Sequence, residues 1–157
     1  MARSRLTSRE LDAWGGLLRT HFLLRRELEG RLLKGHGLHL SSYGVLLRLD
    51  WAGDAGVRMS ELAEQAMLTT GGLTRLADRL ERDGLLTRTR SEDDHRGYEA
   101  RITEAGRRLM RAANKQHVAD LRELLVEHVS PEELDVLAAV WQRVRAANEE
   151  LAAPDPT

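Results

Sequence analysis

At 157 residues, 41% of them apolar, the chain is the size of one compact domain and carries enough apolar surface for a core. It has no cysteine, which excludes disulfides, thiolate metal sites and thiol redox chemistry and suits a reducing cytosol. The net charge of -1 excludes little, but its distribution is uneven: residues 1–50 hold nine Lys/Arg against five Asp/Glu, and residues 112–157 hold four against nine.

In chain order, Ser8 is the expected cap of a long helix through about Leu33, with Glu10 and Asp12 in its first turn and the glycines of "KGHG" ending it. Ser41 or Ser42 should cap a short helix through about Trp51. "AGDAG" reads as a turn, and "VRM" is long enough for only a stub of strand. Ser60 should open a helix at "ELAEQA", "MLTT" turns the chain, and Thr69 or Thr70 caps a further helix to Asp83, where Gly84 stops it. "LLTRTR" and "YEARIT" alternate as strands of a hairpin do. Thr103 should then cap a long helix to about His128. Ser130, Pro131 and Glu133 mark the last helix by a capping box with proline at its first position, and it runs to about Ala152. The fold class is therefore mainly α with a small β-hairpin: a winged helix-turn-helix flanked by long helices. The tail "APDPT" is expected to fray.

The helix "TGGLTRLADRLERD" carries the chemistry. Leu73, Leu76, Ala77 and Leu80 share one stripe suited to a core. At about 100° per residue, Gly71, Arg75, Asp78 and Arg82 lie along the opposite line, flanked by Thr74 and Arg79, with Thr69 and Thr70 at the start. Arginines, threonines and side-chain-free glycines at a helix start suit a helix laid in a DNA major groove, where arginine pairs bidentately with guanine and bare backbone approaches phosphate. The plain alternative is a solvated face on which Arg75, Asp78 and Arg82 form intrahelical ion pairs of about 0.2–0.5 kcal/mol each. Against it stand the two glycines, each costing about 1 kcal/mol relative to alanine in a helix. A solvated helix gains nothing from that cost.

At this point the sequence resembles the MarR family of bacterial transcriptional regulators, over about Leu38 to Ala147. The likeness rests on "MSELAEQAMLTTGGLTRLADRLERDGLLTR", on "DDHRGYEARITEAGRRL" and on "SPEELDVL". The family's wing reads Asp-x-Arg followed by a small residue, and Asp94, His95, Arg96 and Gly97 fill it, with histidine where arginine is common. The resemblance implies that Asp94 braces the wing and that Arg96 reaches the DNA minor groove, where a narrow, negative groove attracts an inserted arginine. Glu92 and Asp93 are left to face solvent or to discourage loose, sequence-independent adhesion. It also implies a homodimer built from the N- and C-terminal helices, its two reading heads spaced for the half-sites of a pseudopalindromic operator in double-stranded DNA. One MarR-like domain over 1–157 is expected, with the DNA-binding part at about 35–104 and dimerisation helices at 8–34 and 104–152.

Outside the reader, Leu134, Leu137, Trp141, Val144, Asn148 and Leu151 recur at spacings of three and four. This is a heptad seam in which Asn148 is the sort of polar residue that sets register between partners. On the first helix Trp14, Leu17, Leu18, His21, Arg25, Leu28 and Leu32 share one side, so two polar groups interrupt an apolar stripe. Two readings stay open. His21 and Arg25 lie at an edge or pair with acids across a dimer; or Trp14, His21 and Arg25, with Tyr43, line a pocket for an aromatic anionic effector, where the family commonly has one.

The six histidines are scattered, and His36 and His39 have no third ligand nearby, so no metal and no cofactor is expected. No nucleophile motif, phosphate loop or acid pair appears, so no enzyme is expected. No apolar run spans a membrane and "MARSRLTSREL" lacks a signal-peptide core, so a cytoplasmic location is expected. The expectation is a sequence-specific DNA-binding regulator, a homodimeric repressor released by a small ligand. The alternative is a winged-helix module that binds protein, which the near-neutral reader admits: residues 69–111 hold ten basic and eight acidic residues.

Overall fold

The computed structural model describes residues 5–90 and 97–152. Among them are six α-helices and three strands, in two compact units of residues 1–118 and 119–157.

In the first unit, α1 (Ser8–His36) starts one residue earlier than the serine cap expected. Thr7 is the N-cap: its hydroxyl accepts from Glu10 N while the Glu10 carboxylate accepts from Thr7 N at 2.6 Å, a closed capping box. The helix runs three residues past Leu33 and ends on Gly37, whose φ of 63° satisfies the left-handed cap. α2 (Leu40–Ala52) has His39 as its N-cap, not Ser41 or Ser42, and His39 makes no side-chain capping bond. Glu29 of α1 does the work instead, accepting from Leu40 N at 2.9 Å and bonding His39 Nδ1 at 2.6 Å. With its opening N–H held from outside, the helix is free to bury Ser42.

β1 (Val57–Arg58) leads directly into α3 (Met59–Gln65), whose N-cap is Arg58 where Ser60 was expected. The turn into α4 (Thr70–Arg82) places Met67 at φ 53°, a left-handed conformation that costs a non-glycine residue about 1 kcal/mol or more. Thr69 is the N-cap of α4, accepting from Gly72 N, and Gly84 takes φ 71° after its end. β2 (Leu86–Arg90) and β3 (Tyr98–Ile102) pair antiparallel with Leu86 opposite Ile102 and Arg90 opposite Tyr98, and β1 joins the other edge of β3 through Val57 and Ala100. The core collects Leu32, Leu46 and Leu49 from the first two helices, Leu62, Leu73 and Leu80 from the helix-turn-helix, Leu86 from the hairpin and Met110 from α5.

α5 (Glu104–Leu124) opens at Thr103, whose hydroxyl accepts from Gly106 N at 3.0 Å and donates to Gly84 O at 2.7 Å. It stops at Leu124, short of the expected His128; residues Val126–His128 form a separate turn of 3-10 helix. In the second unit α6 (Pro131–Ala152) starts as its sequence indicates, with Ser130 N donating to Glu133 at 2.8 Å and Glu133 N to the Ser130 hydroxyl at 3.3 Å. The architecture is the expected one, mainly helical with a small winged sheet. No helix among the described residues is long and apolar enough to cross a membrane.

Candidate nucleic-acid interface

α4 is the element around which the site is built. Its stripe of Leu73, Leu76, Ala77 and Leu80 is buried, which turns Thr74, Arg75, Arg79 and Arg82 outward to solvent. Thr69 and Thr70 are exposed at its start. Thr74 Oγ1 donates to Thr70 O at 2.9 Å, so its one proton is used within the helix and its lone pairs and methyl group remain for an outside partner. Arg75, Arg79 and Arg82, with Ser41, Leu68 and Gly72, line an open groove of about 520 Å³.

The intrahelical ion pairs that would make this a plain solvated face do not form. Asp78 is bound by Arg88 of β2 at 2.6 Å, and Arg88 also holds Glu81 at 2.6 Å. Among the described residues no acid pairs with Arg75, Arg79 or Arg82. Three like charges share one groove, an arrangement that an incoming polyanion relieves.

The two glycines differ in what surrounds them. A Cβ at Gly72 would lie 3.0 Å from the Thr69 capping hydroxyl, so this glycine has a reason inside the helix. A Cβ at Gly71 would meet nothing within 4 Å. Among the described residues nothing requires a glycine there.

Asp94 and Arg96, with Glu92, Asp93 and His95, lie outside the described residues. The base of the wing is described. Arg101 bonds Asp54 O at 3.1 Å, Thr89 Oγ1 at 3.0 Å and Glu99 at 3.0 Å, while Arg107 joins Asp50 at 3.2 Å to Asp54 at 3.0 Å. Together they tie both hairpin strands, the turn before β1 and α5 into one frame. Sequence reasoning singled out none of Arg88, Arg101, Arg107 or Glu29, because their partners lie elsewhere in the fold; only the alternation of "LLTRTR", which puts Arg88 on the face of Leu86, hinted at the first. Met67, 88% exposed just before the Thr69 cap, was also missed.

Of the residues expected to line an effector pocket, Trp14, His21 and Arg25 stand exposed along α1, and Tyr43 is buried. The Tyr43 hydroxyl donates to Asn114 Oδ1 at 2.7 Å, and its ring lies against His117 with centroids 4.5 Å apart. Burial pushes the Tyr43 phenol up from its ordinary value. Burial also acts to raise Glu29, but the bonds from His39 and Leu40 N–H, with the charges of His39 and Arg25, outweigh it and hold the carboxyl below the usual glutamate range. In α6, Leu134 and Leu137 are half-buried, and Trp141, Val144 and Asn148 are exposed. The Asn148 amide donates to Val144 O at 2.7 Å, within its own helix. No group of three or more His, Asp or Glu that could hold a metal occurs among the described residues.

The family model described as MarR family matches residues 36–97, the span from the end of α1 to the start of β3. The HTH-type transcriptional regulator MhqR of Bacillus subtilis is 31% identical over 109 residues, 69% of this chain and 73% of that protein. Among solved structures, the chain is similar to AbsC, a MarR family transcriptional regulator from Streptomyces coelicolor, with a TM-score of 0.88 and 31% identity over 93% of this chain and 98% of that one. It is similar also to Sco3205, a MarR family regulator of the same organism whose structure is a complex with DNA, with a TM-score of 0.89 and 27% identity over 93% and 91% of the two chains.

Proposed function

We propose that this chain, which belongs to the MarR family of transcriptional regulators, acts as a homodimeric repressor that reads a pseudopalindromic operator in double-stranded DNA and is released by a small aromatic anion. As a member of that family it is a regulator and not an enzyme. The observation that carries the DNA reading is the row of Arg75, Arg79 and Arg82, exposed in one groove with no acid to neutralise them among the described residues. Thr69, Thr70, Gly71 and Thr74 complete the major-groove contacts, Gly71 by letting backbone approach phosphate. Arg96 enters the minor groove, with Asp94 bracing the wing. Residues 35–104 read DNA, and the helices over 8–34 and 104–152 dimerise. The DNA complex of Sco3205 supports this reading through the shared fold.

Dimerisation is supported by apolar side chains that a lone chain leaves in water: Trp14, Leu18 and Phe22 on α1, and Trp141 and Val144 on α6. Trp14, His21, Arg25 and Tyr43 are assigned to the effector. Selection of bound duplexes from a random pool tests the reading, since an inverted repeat with half-sites about 34 Å apart is expected from a two-fold dimer. Enrichment of no sequence, or affinity indifferent to salt, would favour a protein-binding winged helix instead, because neutralising phosphates releases counterions. Salicylate-like anions titrated against Trp14 fluorescence, with Trp51 and Trp141 replaced by phenylalanine, test the effector. Release from DNA that is unchanged in both Arg25→Ala and His21→Ala would remove that site from the proposal.

A further inference from the structure

Two acids sit where a DNA-reading helix should avoid them. Asp78 lies on the outward line between Arg75 and Arg82, and Glu81 stands one residue before Arg82. Bare carboxylates there would repel phosphates and weaken the field of the three arginines. The chain meets both from the next element. Arg88, its side chain 21% exposed, places Nη2 at 2.6 Å from Asp78 Oδ1 and 2.6 Å from Glu81 Oε2, and its Nε donates to the same Glu81 oxygen at 3.1 Å. Its backbone N–H donates to Glu81 Oε1 at 2.9 Å, which fixes the register of helix against strand. The Arg88 bond holds the Glu81 carboxyl below its ordinary range, and Glu81 and Asp78 in turn push the guanidinium up from its ordinary value.

We propose that Arg88 is a positioning residue of the DNA site: it neutralises Asp78 and Glu81 from behind, so that Arg75, Arg79 and Arg82 present an unopposed positive face to the operator. The inference rests on the DNA-binding reading above and adds a role for a residue that itself need not touch DNA. A strap that only held helix to strand would serve equally well with uncharged partners, whereas a mask is needed only while the acids are there.

That difference decides the experiment. Affinity for the selected operator and for a random duplex is measured at low and at high salt in the full chain, with helicity and melting followed alongside. Arg88→Gln should lose about tenfold in affinity on both duplexes at low salt, the effect of one net cation at the interface, and less as salt rises. The triple variant Asp78→Asn, Glu81→Gln, Arg88→Gln, which lacks the strap as well as the acids, should recover to near wild type. Arg88→Lys, which keeps the charge but cannot reproduce the forked bonds, should also bind near wild type, and it keeps the test open should Arg88→Gln fold poorly. Arg88→Gln binding like wild type, a triple variant that stays weak, or Arg88→Lys as weak as a fully inactive variant would each overturn the masking role. Asp78→Asn alone should not weaken binding; loss confined to the operator would make Asp78 a base reader and overturn it too. Wild-type protein that binds no duplex at all would instead remove the DNA-binding reading, and this inference with it.

Discussion

Arginine at position 75 differs from its neighbours in what it can be asked to do. It sits one turn inside α4, exposed, next to the Thr74 methyl and four residues from the bare backbone of Gly71. A fork of donors at that depth is placed to meet the two acceptors of a guanine edge. Arg75→Ala is therefore expected to cost about 1–3 kcal/mol on the operator and to relax preference at one base pair, while random-duplex affinity changes little. Fluorescence anisotropy on a panel of singly substituted operators checks this, and equal loss on every duplex would assign Arg75 to phosphate. The two glycines beside it teach a related lesson. Composition makes them alike, yet Gly72 spares the Thr69 hydroxyl and Gly71 spares nothing among the described residues.

Elements in this fold hold one another's ends. The start of α5 is set against the turn that leaves α4: Thr103 N donates to Leu85 O at 3.1 Å, its hydroxyl to Gly84 O, and a Cβ at Gly106 would run into the Leu85 carbonyl and Ile102. Because backbone and not a flexible side chain is in the way, relief requires α5 to shift from the hairpin. Gly106→Ala should destabilise by about 1–3 kcal/mol, the usual range for overpacking, read as a lower urea midpoint. An alanine tolerated without loss would mean that the α5 start can move. Glu29 plays the corresponding part for α2, reaching over from α1 to the Leu40 N–H that no local side chain serves.

For the molecule as a whole, the unused apolar faces are the main feature. Phe22 is 62% and Trp14 55% exposed on α1, and α6 leaves Trp141 and Val144 in water. Burying them between two chains would join two reading heads and turn the second binding event into an intramolecular one, a gain of about 10²–10⁴ in avidity. Trp141→Glu with Val144→Glu should give a monomer by light scattering, with helicity kept and with operator affinity reduced toward that of one half-site. A double variant that remains a dimer would move the interface off this face of α6.

Much of this could be read along the chain because its signals are local. The 3.6-residue stripe of Leu73, Leu76, Ala77 and Leu80, the Ser130–Glu133 box and the alternation of the hairpin strands each depend on residues a few positions apart, and each formed as expected. Thr7 with Glu10 was equally local; the box spacing favours Thr7 over the adjacent Ser8, whose third neighbour is Leu11. The cap of α2 was not legible, since Glu29 stands ten residues before His39, and neither was the sharing of Asp78 and Glu81 by Arg88, which stands ten and seven positions after them on the next strand. α5 also ends at Leu124 with no glycine or proline to announce it. Periodicity tells which side of a helix is apolar, because that follows from its own geometry; which charges on the other side are spent and which stay available follows from what packs alongside, and here it was Arg88 of β2 that took Asp78, leaving the three arginines with no acid partner among the described residues.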